Sequence, residues 1–224
     1  MSPVVRNPTG VDMVTLADIR NEALVELVEA EDGQSLDALT RELLEFAVRI
    51  SVTTLDTGGA RVHAQRALQA GATSGQLHEV VLLVSGLGVH SLFEGTRLLQ
   101  ELAPEPSTPR DAQRQQLWDQ WVGQDRYWKG FEREVPGFLD ALLQVSPSGF
   151  DAFFRYCAVP WTDPQLPPLC KELIAMASDA TPTHRFMPGL RLHLRNALRL
   201  GAGRAAVLEA LDIAAQAPEH PGVR

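Results

Sequence analysis

The sequence predicts an all-α fold made of two tandem helical units. Three observations carry this expectation. The stretch GARVHAQRALQAGA at 59–72 returns as GLRLHLRNALRLGA at 189–202, and an offset of 130 residues aligns 39–90 with 169–220 without a gap, giving 14 identities over 52 positions. Apolar residues in both copies recur with the 3.6-residue period of a helix, and no stretch alternates with the period of two that marks a strand. Four of the six histidines are duplicated in register, His63 with His193 and His90 with His220. Repeats of this size are best sought before any other feature, because each repeat is a structural unit. An approximate two-fold relation between the units is expected.

Along the chain, Ser35 can cap a first helix whose apolar positions are Leu36, Leu39, Leu43, Phe46, Ala47 and Ile50, with Asp37 favourably placed in its first turn. The next helix starts near Thr57 and gathers Ala60, Ala64, Ala67 and Leu68 on one face. Its small side chains permit close approach of a neighbour, and Gly71 ends it in the left-handed region. Thr73 and Gln76 make a capping-box pattern for a third helix with Leu77, Val80, Val81, Val84 and Leu87 as core candidates.

Between the repeats, APEPSTP at 103–109 reads as a linker. The expected division is a first unit over 1–102, a linker over 103–115 and a second unit over 116–224. WDQWVGQDRYWKGF at 118–131 reads as one aromatic-rich helix, and Pro136, Pro147 and Pro160 punctuate two shorter segments after it.

Composition excludes several function classes. The 224 residues are 45% hydrophobic and 21% charged, enough for a sizeable core. Formal charge is −8 without a basic block, so a nucleic-acid partner is not expected. The first twenty residues hold no apolar segment of signal-peptide length, and no run of about 18 apolar residues occurs. A soluble cytoplasmic protein with no membrane partner is therefore expected. The spacing of Cys157 and Cys170 matches neither a disulfide framework nor a CxxC pattern.

The chemistry-bearing residues lie at the edges of the apolar faces. Asp56, Ala60, His63 and Ala67 share one stripe, and Glu42 falls between Leu39 and Phe46 on the preceding helix. Glu172 falls likewise between Leu169 and Met176. A carboxylate beside apolar surface has its pKa pushed up, and with an imidazole nearby it makes a proton-transfer pair. The same positions also suit a packing histidine bonded to a carbonyl or glutamate, and a core-edge glutamate paired with arginine. Arg61 and Arg191 stand about 200° around the helix from each histidine, as expected of ion-pairing residues. His90 ends the glycine-rich segment SGLGVHSLFEG, whereas His220 sits in the C-terminal tail. No HExxH occurs and the histidines are scattered along the chain, so no metal site is expected. There is no GxSxG elbow and no glycine-rich phosphate loop. Trp118, Trp121, Tyr127 and Trp128 read as core and oligomer contact.

Taken together, RELLEFAV, then a glycine and HAQRALQAGAT, then QLHEVVLLVSGLGVHS resemble the carboxymuconolactone decarboxylase family, which includes the alkylhydroperoxidase-D-like proteins. KELIAMAS, GLRLHLRNALRLGA and VLEALDIAA resemble it again, so the likeness covers both repeats and about half of the chain. The resemblance implies two tandem alkylhydroperoxidase-D-like units, with the family glutamate at Glu42 and Glu172 and the family histidine at His63 and His193. The peroxidase branch carries cysteines seven and four residues before the histidine, where this chain has Asp56 and Gly59, or Phe186 and Gly189. A dithiol cycle is thereby contradicted, and a thiol peroxidase is not expected.

The decarboxylase branch works without a cofactor, by proton transfer on a small lactone acid, and carries an acidic residue where this chain has Gly58 and Gly59. The resemblance therefore implies a cofactor-free lyase or isomerase acting on a small oxygenated carboxylate or lactone. His63 and Glu42 would be catalytic, with Asp56 and His90 binding substrate. His193 and Glu172 are their second-repeat equivalents, disfavoured because Phe186 replaces Asp56 and Pro182 and Pro188 interrupt the approach. The alternative is a non-catalytic oligomeric or ligand-binding scaffold. Single-repeat members form trimers or hexamers, so a homo-oligomer, with a trimer favoured, is expected.

Overall fold

Residues 13–102, 109–162 and 164–222 are described by the computed structural model, and among them every regular element is helical. The first twelve residues and positions 103–108 lie outside the described residues, and with them most of the segment searched for a signal peptide and most of the linker stretch.

The first unit opens with α1 (Leu16–Glu26), capped by a Thr15–Asp18 capping box. Helix α2 (Ala38–Ile50) starts later than Ser35 capping would place it. Asp37 takes the capping role, because its carboxylate accepts the Thr40 N–H at 2.9 Å. Helix α3 (Thr57–Gln69) is capped by Asp56, which accepts the Gly59 N–H at 3.0 Å, and Gly71 follows it at φ +100° as expected. Thr73 and Gln76 form the expected box at the start of α4 (Ser74–Ser85). A 3-10 turn over Gly86–Gly88 carries the chain directly into α5 (Val89–Leu102).

Four further helices precede the second repeat: α6 (Ala112–Trp121), α7 (Arg126–Glu134), α8 (Phe138–Val145) and α9 (Pro147–Thr162). Here the structure departs from expectation. The aromatic stretch 118–131 is two helices, because Gly123 turns at φ +47° and the Asp125 carboxylate caps a new start at Tyr127 N–H. Helix α6 already begins inside the stretch read as linker. Pro147 opens α9, but Pro160 sits inside its last turn and does not end it.

The second repeat gives α10 (Pro168–Asp179), α11 (Met187–Arg199) and α12 (Arg204–Ala215). Helices α3 and α11 each have 13 residues, and the loops before them follow one path. Leu55 and Arg185, 130 positions apart, both take left-handed backbone at φ 45° and 50°. Asp56 N–H donates to the Arg49 carbonyl as Phe186 N–H donates to the Asp179 carbonyl, both at 2.9 Å.

Both repeats contribute to a single core. Leu43, Leu44, Ala47 and Val80 pack with Leu173, Ile174, Ala177 and Val207, all nearly inaccessible to solvent. Across this core the polar contacts are reciprocal. Glu79 on α4 accepts the Leu166 N–H at 3.0 Å and lies 3.1 Å from the Lys171 ammonium. Glu209 on α12 accepts the Leu36 N–H at 2.9 Å and pairs with Arg41, the positions 130 residues earlier. A second, aromatic core joins α5 to the intervening helices through Phe93, Phe131, Phe138, Phe150, Phe153 and Phe154.

The continuous helical path Ser74–Leu102 is long and apolar enough to cross a membrane by length and composition, with mean hydropathy 1.3. Its Glu79 is nonetheless committed to the buried pair with Lys171 inside the protein. This pair, with Val80 and Val84, ties that part of the path into the packed core.

Candidate active site

Both repeats bring their glutamate and histidine together. His63 Nδ1 lies 2.7 Å from Glu42 Oε2, and His193 Nδ1 lies 2.7 Å from Glu172 Oε2. In each case the helix pair fixes the meeting. The loops 51–56 and 181–186 fold the second helix back on the first, and the small residues Ala60, Ala67, Gly189 and Ala197 let the two backbones close. With Nδ1–H donating to the carboxylate, each imidazole keeps Nε2 for other work.

Beyond that shared pair the two repeats diverge. Beside His63, Arg49 pairs with Glu45 and reaches to 4.0 Å from Asp56, while Glu45 comes within 3.9 Å of His63 Nε2. These long side chains fill the space. In the second repeat Ala175 stands where Glu45 stands, and Asp179 where Arg49 stands. The shorter side chains leave room, and a cavity of about 460 Å³ opens there. His193, Glu172, Asp179 and Ala175 line it together with His90 from α5. Phe93, Phe131, Phe153, Trp128 and Trp161 make much of its apolar wall. No arginine or lysine is among the described residues that line it.

The cavity lies beside the second repeat's pair and not beside the first's. His63, Glu42 and Asp56 do not line the cavity; Asp56 is a helix cap over Gly59, not a pocket group. His90, expected beside His63, faces the second repeat instead, because α5 runs on from α4 and crosses to α8 and the loop before α11. Pro182 belongs to the turn 181–184, and Pro188 occupies the first turn of α11, where a missing N–H costs nothing. Pro188 lines the cavity together with His193.

Glu172 is buried and doubly held, since its Oε1 also accepts from Asn196 Nδ2 at 3.2 Å. Burial opposes a charge on His193, but the bond to Glu172 and the carboxylates of Glu172 and Asp179 outweigh it and raise its pKa above the ordinary histidine value. His90 goes the other way. Burial pushes it down to about 4 against the pull of Asp179, with His184 and His193 adding to the fall.

Sequence reasoning missed Asp179 and His184, and it read the histidines as scattered. The structure gathers three groups. His90 Nδ1 is 2.7 Å from His184 Nε2, and Asp179 Oδ1 is 3.7 Å from the first and 3.5 Å from the second. Phe186 stacks on the His90 ring with centroids 4.0 Å apart. The available signal was the mismatch between repeats: Asp179 follows Glu172 by seven residues, two turns along the same face, where the first repeat has Arg49.

Of the duplicated arginines, Arg191 forms the expected ion pair, 2.6 Å from Glu134, which also binds Arg195. Trp121, Tyr127 and Trp128 line the cavity, and Trp118 packs on the aromatic core, stacked with Phe150.

Searches of the sequence against family models and against curated proteins give no match. Among solved structures, the chain is similar to a crystal structure from Burkholderia xenovorans LB400 described as a "putative gamma-carboxymuconolactone decarboxylase subunit". The two share 30% sequence identity over 91% of this chain and 84% of that chain, with a TM-score of 0.68. An all-helical fold, the likeness over nearly the whole chain and the shared sequence lead to one conclusion: the chain belongs to the carboxymuconolactone decarboxylase family.

Proposed function

We propose that the protein is a lyase or isomerase of the carboxymuconolactone decarboxylase type, acting on a small oxygenated carboxylate or lactone in the cavity beside His193. One observation carries the reading: a hydrogen-bonded His193–Glu172 pair lines a largely apolar cavity large enough for a small ligand. In a decarboxylation the bond from carbon to carboxylate breaks, CO2 leaves, and the electron pair spreads onto an adjacent carbonyl. The carbanion then takes a proton from Nε2 of protonated His193, and solvent restores it. Glu172 stabilises the imidazolium and fixes its orientation. The bond to Glu172 favours the protonated imidazole, which suits a general acid. An isomerisation uses the same proton transfer without loss of CO2.

A second reading, a ligand-binding scaffold without turnover, draws on the same aromatic wall. The two part in one assay. CO2 release and double-bond migration are followed on a panel of carboxylated lactones, γ-carboxymuconolactone included, and of β-keto acids. Turnover that falls at least about a hundredfold in Glu172→Gln supports the enzyme. Thermal stabilisation by a panel compound with no change in that compound supports the scaffold. We further propose a homo-oligomer, a trimer in the simplest case, using the exposed apolar side of α5.

A further inference from the structure

The structure assigns a divalent transition-metal site to His90, Asp179 and His184, on the wall of the cavity that His193 shares. Three atoms, each an accepted ligand type, converge: His90 Nδ1, His184 Nε2 and Asp179 Oδ1, at mutual distances of 2.7, 3.5 and 3.7 Å. A point equidistant from the corners of that triangle lies about 1.9 Å from each, and a cation slightly out of the plane sits about 2.0–2.1 Å from all three, the range for zinc with imidazole nitrogen and carboxylate oxygen.

A second observation points the same way. Asp179 is 1% exposed, and neither of its oxygens accepts a hydrogen bond from any described residue. A buried carboxylate without a partner is costly, and native proteins pair it or give it to a metal. The two imidazoles do not meet the need, because they lie 3.5 and 3.7 Å from the carboxylate and bond to one another. A cation between them satisfies all three groups at once.

The donors come from three different places in the fold. His90 is in the first turn of α5, Asp179 ends α10, and His184 is in the turn before α11. Phe186 packs on one imidazole, and Gly189 leaves the space that the Asp179 carboxylate occupies. Two imidazoles and one carboxylate select a late first-row cation over magnesium or calcium, and three protein ligands leave a coordination position open. His90 and Asp179 both line the cavity, so that position faces its contents. An oxygen of an anionic ligand fits there, in a cavity lined by no described arginine or lysine. Only this last step rests on the proposed substrate class; the cation site itself does not.

The test reads binding without turnover. Zinc is the probe, because a site that takes iron or manganese binds zinc more tightly. Chelator-stripped full-length protein is titrated with zinc by calorimetry and with cobalt by visible absorption. The expected result is one cation per chain at micromolar affinity or tighter, with cobalt bands of mixed nitrogen and oxygen ligation. Asp179→Asn and, separately, His184→Gln should weaken binding by more than about a hundredfold, since even loss of an outer-shell partner costs about 10–100-fold. His78→Gln and His220→Gln should leave it unchanged. Unaltered helical circular dichroism in at least one of the two site variants shows that the loss is local. Absence of binding to the wild type at about 100 μM zinc, or binding that survives both site variants, overturns the assignment.

Discussion

The carboxylate of Asp179 lies directly over Gly189, so close that a β-carbon at that glycine would overlap Oδ2. Asp56 sits over Gly59 in the same way, but there it caps the helix. Phe186 makes no side-chain cap at the second position, and the acidic group comes from α10 instead. The glycine is thus a requirement of the acidic group above it. Gly189→Ala is expected to push the carboxylate aside and cost about 1–3 kcal/mol, the usual range for overpacking a tight site. Urea denaturation with circular dichroism reads this directly. An unchanged midpoint would show that the carboxylate moves freely.

Much of the fold was legible in the sequence. The 3.6 period, the Thr73–Gln76 box and Gly71 placed α2, α3 and α4 within a residue or two, and their repeats placed α10 to α12. What misled was local chemistry that only geometry arbitrates. Ser35 and Asp37 are both good caps, and Asp37 prevailed by reaching Thr40. The break at Gly123 sits inside an aromatic stretch whose composition reads as one helix. For the site, the Glu–His pairs were visible because both repeats carry them. The cavity was not, because it depends on where the repeats differ: Ala175 against Glu45 and Asp179 against Arg49. It depends as well on α5, which carries His90 across to the second repeat, a long-range path that no periodicity encodes.

The reciprocal glutamates predict unequal costs. Glu79 and Lys171 are almost fully enclosed, with side-chain exposures of 4% and 1%, whereas Arg41 is 46% exposed in its pair with Glu209. Lys171→Met strands a buried carboxylate and should cost about 3–5 kcal/mol. Arg41→Met should cost at most about 1 kcal/mol, since water screens that pair. Comparable losses in equilibrium unfolding would mean that the buried pair is solvated in solution.

Burial raises the thiols of Cys157 and Cys170 to about 11 and about 12. Neither is a thiolate near neutral pH in the folded protein. A disulfide reagent at about pH 8 should therefore label both cysteines in guanidinium and neither in native buffer, because the thiolate is the reacting form. Since the folded values are raised, stability should also fall as pH climbs through the ordinary thiol range toward these values. Rapid native labelling at either position would contradict the environment described.

Helix α5 leaves Leu98, Leu99 and Leu102 at 53%, 64% and 72% exposure. A row of this kind on one face suits contact with another copy. Light scattering at micromolar concentration should report an oligomer, and Leu99→Glu with Leu102→Glu should shift it toward monomer. A wild-type monomer at that concentration would remove the oligomer proposal.

If chemistry belongs to the second repeat, where the space is, the identical Glu–His pair of the first repeat should be dispensable for turnover. The most direct measurement compares His193→Ala and His63→Ala on the compound that the wild type converts, with folding checked by circular dichroism. His193→Ala is predicted to lose at least about a hundredfold in rate, while His63→Ala stays within a few-fold of wild type. The opposite pattern, an active His193→Ala and an inactive, folded His63→Ala, would return the site to the first repeat and contradict the assignment to the second.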